Sequence, residues 1–135
     1  MDNSVILEQI FDTGYATISF DVIPGKLNAT IRNLTGEDYI AIDDIMIDKK
    51  GSQNKIFQLY GLYRLAFALL KYKNITFDNV EESYKMLSKL SLHLVNKLIK
   101  EQDKFEEAVK NALKGEEIEE NFSEKADLQT NQELS

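Results

Sequence analysis

No cysteine occurs in the chain, which excludes disulfides, thiolate metal sites and cysteine nucleophiles, and points to a reducing compartment. Proline appears once and glycine six times in 135 residues, too few for a loop-rich or fibrous protein and suited to helices. Histidine is confined to His93. A Ser–His catalytic pair would need an activated hydroxyl and an orienting acid beside it. Ser91 reads instead as a helix cap, and no G-x-S-x-G elbow is present. Neither G-x-x-x-x-G-K nor G-x-G-x-x-G occurs, so no phosphate-cradling loop is expected.

Long apolar runs are missing too. The most apolar stretch, "LYGLYRLAFALL" (59–70), is twelve residues long and contains Arg64, whereas a membrane span needs about 20. The opening "MDNSVILEQI" carries two acids, no base and too short an apolar run for a signal peptide, so a cytosolic protein is expected. Positive charge is scarce overall, with 16 basic against 23 acidic residues and a net −7. The imbalance is local. From Gly115 onward seven acids face Lys125 alone, a balance of −6, which leaves residues 1–114 at −1. Neither a neutral body nor an acidic end suits nucleic-acid binding.

What is present reads as α+β, mainly α. At 43% apolar residues, the chain is expected to form one folded domain over 1–114 and a flexible acidic tail over 115–135. Residues 3–11 fit either a short helix or a strand entry. Ala16, Ile18, Phe20 and Val22 alternate with polar residues, as do Leu27, Ala29 and Ile31, around Pro24-Gly25. This spacing predicts a two-stranded hairpin over about 14–33 with a type II turn. A lone hairpin is marginal, so it leans on helices or pairs its open edge with another copy. A bundle of about four helices follows, at about 36–49, 53–73, 79–90 and 92–114. Thr35, with Asp38 three residues on, signals the first start; Asp78 or Asn79 and then Ser91 signal later ones.

"GEDYIAIDDIMID" (36–48) holds five carboxylates and is the one place where metal or acid–base chemistry is conceivable. On a helical wheel Glu37, Asp44 and Asp48 share a side, but Glu37 and Asp38 have capping work and no histidine follows at i+4. The carboxylates read as a solvated face, with no catalytic, metal or cofactor site. More telling are two apolar stripes on this helix, Tyr39-Ile42-Met46 and Ile40-Ile47, which predict a helix sandwiched within the fold or against a partner. The 53–73 helix is apolar nearly all round and so reads as the central core helix. Gly61, Ala66 and Ala68 let a neighbouring backbone come close, either as core packing or as a seam between subunits. Candidate partner-binding residues are Tyr39, Ile40, Ile47, Tyr60, Tyr63, Arg64 and Phe67, with core as the alternative for Tyr60 and Tyr63. Leu94, Val95, Leu98, Ile99, Phe105, Ala108, Val109 and Ala112 make 92–114 amphipathic, so it docks on the 53–73 helix or on a partner groove.

The ordered passages "GKLNATIRNLTGEDYIAIDD", "LYRLAFALLKYKNITF" and "LSLHLVNKLIKEQDKFEEAV" resemble the small tail assembly chaperones of long-tailed bacteriophages, over about residues 14–122. The resemblance implies a mostly helical, self-associating, non-enzymatic protein of the host cell cytoplasm. Such a protein coats the tape-measure protein, keeps it soluble and helps recruit tail-tube subunits. It carries over no individual binding residue. A structural virion component of the tail, neck or baseplate is the alternative; a small metal enzyme using Glu37, Asp44 and Asp48, or a regulatory protein, ranks behind it.

Overall fold

A computed structural model describes the backbone of residues 2–125 and the side chains of residues 2–115. The chain is α+β and mostly helical. Its elements in order are α1 (Asn3–Thr13), β1 (Thr17–Ile23), β2 (Leu27–Arg32), α2 (Gly36–Met46), α3 (Gln53–Ala68), β3 (Leu69–Tyr72), β4 (Ile75–Thr76), α4 (Val80–Ser88) and α5 (Leu92–Lys125).

The hairpin forms where the alternation places it. Lys26 N–H closes the turn on Ile23 O at 2.9 Å, and Gly25 adopts φ +71° as a type II turn requires. Val22 is an extra residue in β1, since Asp21 pairs with Asn28 and Ile23 with Leu27. Val22 keeps the inward side that the alternation gives it, buried alongside Ala16, Leu27, Ala29 and Ile31. Beyond the hairpin the expectation fails. Among the described residues the sheet has four antiparallel strands in the order β1-β2-β3-β4, and there are five helices where four are expected. Residues 69–72, expected as the end of the 53–73 helix, are strand β3, which pairs with β2. Residues 75–76, expected as part of a break, are β4.

The physical reason is the second edge of β2. Its N–H and C=O groups need partners, and a two-stranded ribbon has too little buried face to stand alone. Apolar Leu69 and Tyr72 serve a strand as well as a helix, and both are buried. Between β3 and β4 the chain reverses at Lys73-Asn74, with Lys73 at φ 59°, a conformation that favours glycine. The outer edge of β1 is defended. Thr17 N–H donates to Gln9 Oε1 at 3.2 Å, and the bulge, exposed Asp21 and Pro24 oppose strand addition there.

The helix starts follow their caps. Asp2 caps α1, which settles residues 3–11 as helix, and Asn79 Oδ1 accepts from Glu82 N–H at 3.0 Å to open α4. Ser91 Oγ accepts from His93 N–H at 3.3 Å, and α4 and α5 are separate helices. At the other terminus α5 runs through Gly115 to Lys125, past the helix end at 114 expected from the sequence. One helical glycine costs only about 1 kcal/mol, and the glutamates after it are good helix formers. The remainder of the expected tail, residues 126–135, lies outside the described residues.

α5 is the spine. Val95, Leu98, Gln102, Phe105, Val109 and Ala112 are buried at alternating spacings of three and four, a stripe along one face. They meet α1, α3 and β1 in a core that also contains Ile6, Leu65 and Leu87.

Candidate partner-binding groove

α3 leaves Ser52, whose hydroxyl accepts from Lys55 N–H at 3.2 Å. Its second half is core: Tyr63, Leu65, Ala66 and Ala68 are buried. Its first half is not, with Phe57 77% exposed. The near-complete apolar circumference that suggests a central helix therefore splits into a buried half and an open one.

Between that open half, the end of α4 and the first three turns of α5 runs a groove of about 590 Å³, within the range of ligand and peptide sites. Phe57, Leu62, Leu87, Leu92, Val95 and Ile99 give it an apolar lining. Phe57 and Leu92, at 77% and 65% exposure, are large apolar side chains with nothing over them. Gly61 lies in the same lining, where an added Cβ would meet only Ile99 Cδ1 at 3.9 Å. Gly61→Ala is therefore expected to stabilise the fold by about 1 kcal/mol, seen as a thermal midpoint higher by about 4 °C. A drop would mean that the backbone there is not ordinary helix.

Arg64 closes one end, 3.4 Å from Asp103 of α5. Burial works to lower its pKa, but Tyr39 and Asp103 beside it outweigh that and hold it up. Gln102, fully buried, donates Nε2 to Arg64 O at 3.0 Å and fixes this end of α3 on α5. Behind it lies a second polar cluster. Arg32 holds Asp38 through two bonds of 2.6 and 3.0 Å, and Glu106 of α5 accepts from Leu34 N–H at 2.7 Å.

Burial pushes the Glu106 carboxyl up, against lowering by Leu34 N–H, Arg64 and Arg32. Its folded pKa thus lies above the unfolded value. Glu106 favours folding fully below the ordinary carboxylate range and loses that contribution as pH rises through its raised pKa. The stability of the wild type relative to Glu106→Gln should accordingly grow as pH falls from neutral to mildly acidic. Urea unfolding of both proteins across that range measures it, and a difference that shrinks would refute the assignment.

The expected partner residues separate. Ile40 and Ile47 are exposed, at 65% and 78%, so α2 buries one stripe through Ile42 and is not sandwiched within the fold. Tyr39 is at the margin, 36% exposed. Tyr60 and Arg64 line the groove. Tyr63 is a core residue, stacked on Tyr84 with ring centroids 4.3 Å apart, and Phe67 packs on the core half-buried. Phe57 and Leu92 were not among the expected residues. Phe57 sits in the first turns of a helix that looks uniformly apolar, and nothing local marks it as the uncovered side. Glu37, Asp44 and Asp48 are solvent-exposed, and no three acidic or histidine side chains gather closely enough to hold a metal among the described residues. Nor is any helix there long and apolar enough to cross a membrane.

No protein-family model matches the chain, and no similar curated protein or solved structure was found.

Proposed function

We propose that this chain is a non-enzymatic tail assembly chaperone of a long-tailed bacteriophage. In the host cytoplasm it would hold the tape-measure protein soluble while tail-tube subunits are recruited. The observation that carries the reading is the apolar groove between α3 and α5, rimmed by uncovered Phe57 and Leu92. A tape-measure protein presents long helices with apolar stripes, and an amphipathic helix laid in an apolar groove is an established mode of recognition. The groove runs about 16 Å along α5, from Leu92 to Asp103, room for three turns of a client helix. Burial of apolar area there contributes about 25 cal/mol per Å². Exposed Ile40 on α2 and Ile47 at its C-terminal cap add further apolar surface for the same purpose.

Co-expression with the tape-measure protein tests the proposal. The client should remain soluble with the wild type and pellet with a Phe57→Glu, Leu92→Glu variant. A client equally soluble without the chain would sink the idea. Mass spectrometry of purified particles adds an independent check: a fixed copy number in mature virions would favour a structural tail component instead.

A further inference from the structure

We infer that a cleft at one end of the sheet binds a small phosphorylated polyol, such as a sugar phosphate, through Lys26 and Lys73. The cleft, of about 500 Å³, opens between the β1–β2 turn and the β3–β4 turn. That volume lies in the range of small-ligand sites. It shares no residue with the apolar groove, so the inference is independent of the chaperone reading.

Hydrogen bonds of the sheet hold both turns in place. Lys26 N–H donates to Ile23 O at 2.9 Å, and Lys73 N–H donates to Asn28 O at 2.9 Å. Asp21, paired with Asn28, completes a row across β1, β2 and the end of β3. Leu27 and Ala29 are buried, so alternation turns Lys26 and Asn28 to the outer side. Two lysines from two different turns thus line one cleft.

Among the described residues neither lysine forms an ion pair. Asp21 is the acid in the lining, and its Oδ1 accepts from Asn28 Nδ2 at 3.2 Å. Two ammonium groups against one carboxylate favour an anion, and lysine partners phosphate as a point charge.

The backbone of Lys73 is a second, independent observation. Its φ of 59° is positive and that of Asn74 is not, in a two-residue turn between Tyr72 and Ile75. That pattern is type II′, whose first position normally holds glycine. A lysine there strains the backbone, and such outliers gather at ligand sites. Strain retained on an exposed turn calls for a role of the side chain, and the cleft supplies one.

The rest of the lining selects the ligand. A bare phosphate would leave most of the cleft to water. Asp21 and Lys73 stand two strand spacings apart, about 10 Å, so a ligand held by its phosphate at Lys73 reaches Asp21 with its other end. A carboxylate there accepts from hydroxyls and repels a second phosphate, while the Asn74 amide offers both a donor and an acceptor. One phosphate on a short hydroxylated chain meets all of these groups.

Titration of the full chain at low salt, followed by ¹H–¹⁵N NMR, tests the inference with glucose 6-phosphate, inorganic phosphate and glucose. Glucose 6-phosphate should bind saturably, with shifts centred on Asp21, Lys26, Asn28, Lys73 and Asn74. It should bind at least about tenfold more tightly than inorganic phosphate, and glucose should not bind. Lys26→Ala should weaken binding at least about fivefold. Lys73→Gly should do the same while raising the thermal midpoint by about 4 °C, because glycine relieves the strain. Weaker binding with higher stability separates a ligand-binding lysine from a merely structural one. Titrations without saturation, shifts centred elsewhere, or equal affinity for inorganic phosphate would each overturn the inference. So would a Lys73→Gly variant that binds normally or melts lower.

Discussion

Asp38→Ala is expected to cost about 4 kcal/mol of stability. The carboxylate accepts from both Arg32 nitrogens at 2.6 and 3.0 Å, and from the Thr35 N–H and hydroxyl at 2.7 and 3.1 Å. Both side chains of the ion pair are largely hidden, at 17% and 12% exposure. Removing one partner of such a pair leaves the other charge poorly solvated, at a cost of about 3–5 kcal/mol. The same change ends the capping box at α2, by itself worth about 1 kcal/mol. The two losses share one side chain and do not simply add. Asp38→Asn retains an acceptor for Thr35 N–H and should cost about half as much. Urea unfolding of the three proteins decides the matter. A loss for Asp38→Ala of about 1 kcal/mol or less would place this pair with ordinary surface ion pairs.

The acid limb of the stability profile follows from the same residue. Burial works to raise the Asp38 pKa, but the Arg32 guanidinium and the Thr35 N–H outweigh it and hold the carboxyl below its usual range. Its contribution is present above the unfolded pKa and is lost as pH falls through the folded one. Asp38 and Glu106 therefore pull in opposite directions on acidification, and Asp38 acts at the lower pH.

Leu98→Ala carries the second large effect, about 3 kcal/mol. Leu98 is fully buried in the α5 stripe, and its truncation loses transfer free energy and leaves a cavity. Against a typical domain stability of about 5–15 kcal/mol, that is a large share. Phe57→Ser is the informative control. It removes a larger side chain, yet one 77% exposed, and should change stability by no more than about 0.5 kcal/mol. Thermal unfolding separates the two. Were Phe57→Ser as damaging as Leu98→Ala, the groove would be core rather than a contact surface, and the chaperone proposal would lose its footing.

Much of the fold is legible in the chain without its structure. Alternation around Pro24-Gly25 marks β1 and β2, and Thr35 with Asp38 marks the start of α2. The three-and-four spacing of Val95, Leu98, Phe105, Val109 and Ala112 marks the buried face of α5. The second hairpin is barely legible, although "KYKNIT" holds a faint signal: Lys71 and Lys73 flank Tyr72, and β-branched residues follow Asn74. The apolar run before it overrode that signal, because 69–70 extend a helical pattern as readily as they start a strand. Of the groove lining, Tyr60 and Arg64 stand out in the sequence as candidate contact residues, whereas Phe57 and Leu92 do not.

The division has a physical cause. Caps, turns and periodicity are interactions between residues a few positions apart, so the sequence alone determines where α2, α4 and α5 begin and which face of α5 turns inward. The absence of cysteine and of phosphate-binding glycine loops is equally a matter of sequence. Pairing and cover depend on what arrives from elsewhere in the chain. Only the tertiary structure could supply β2 with a strand at its second edge, press Tyr63 against Tyr84, and leave Phe57 with no neighbour above it. Two aromatic residues six positions apart on one helix thus end as core and as surface.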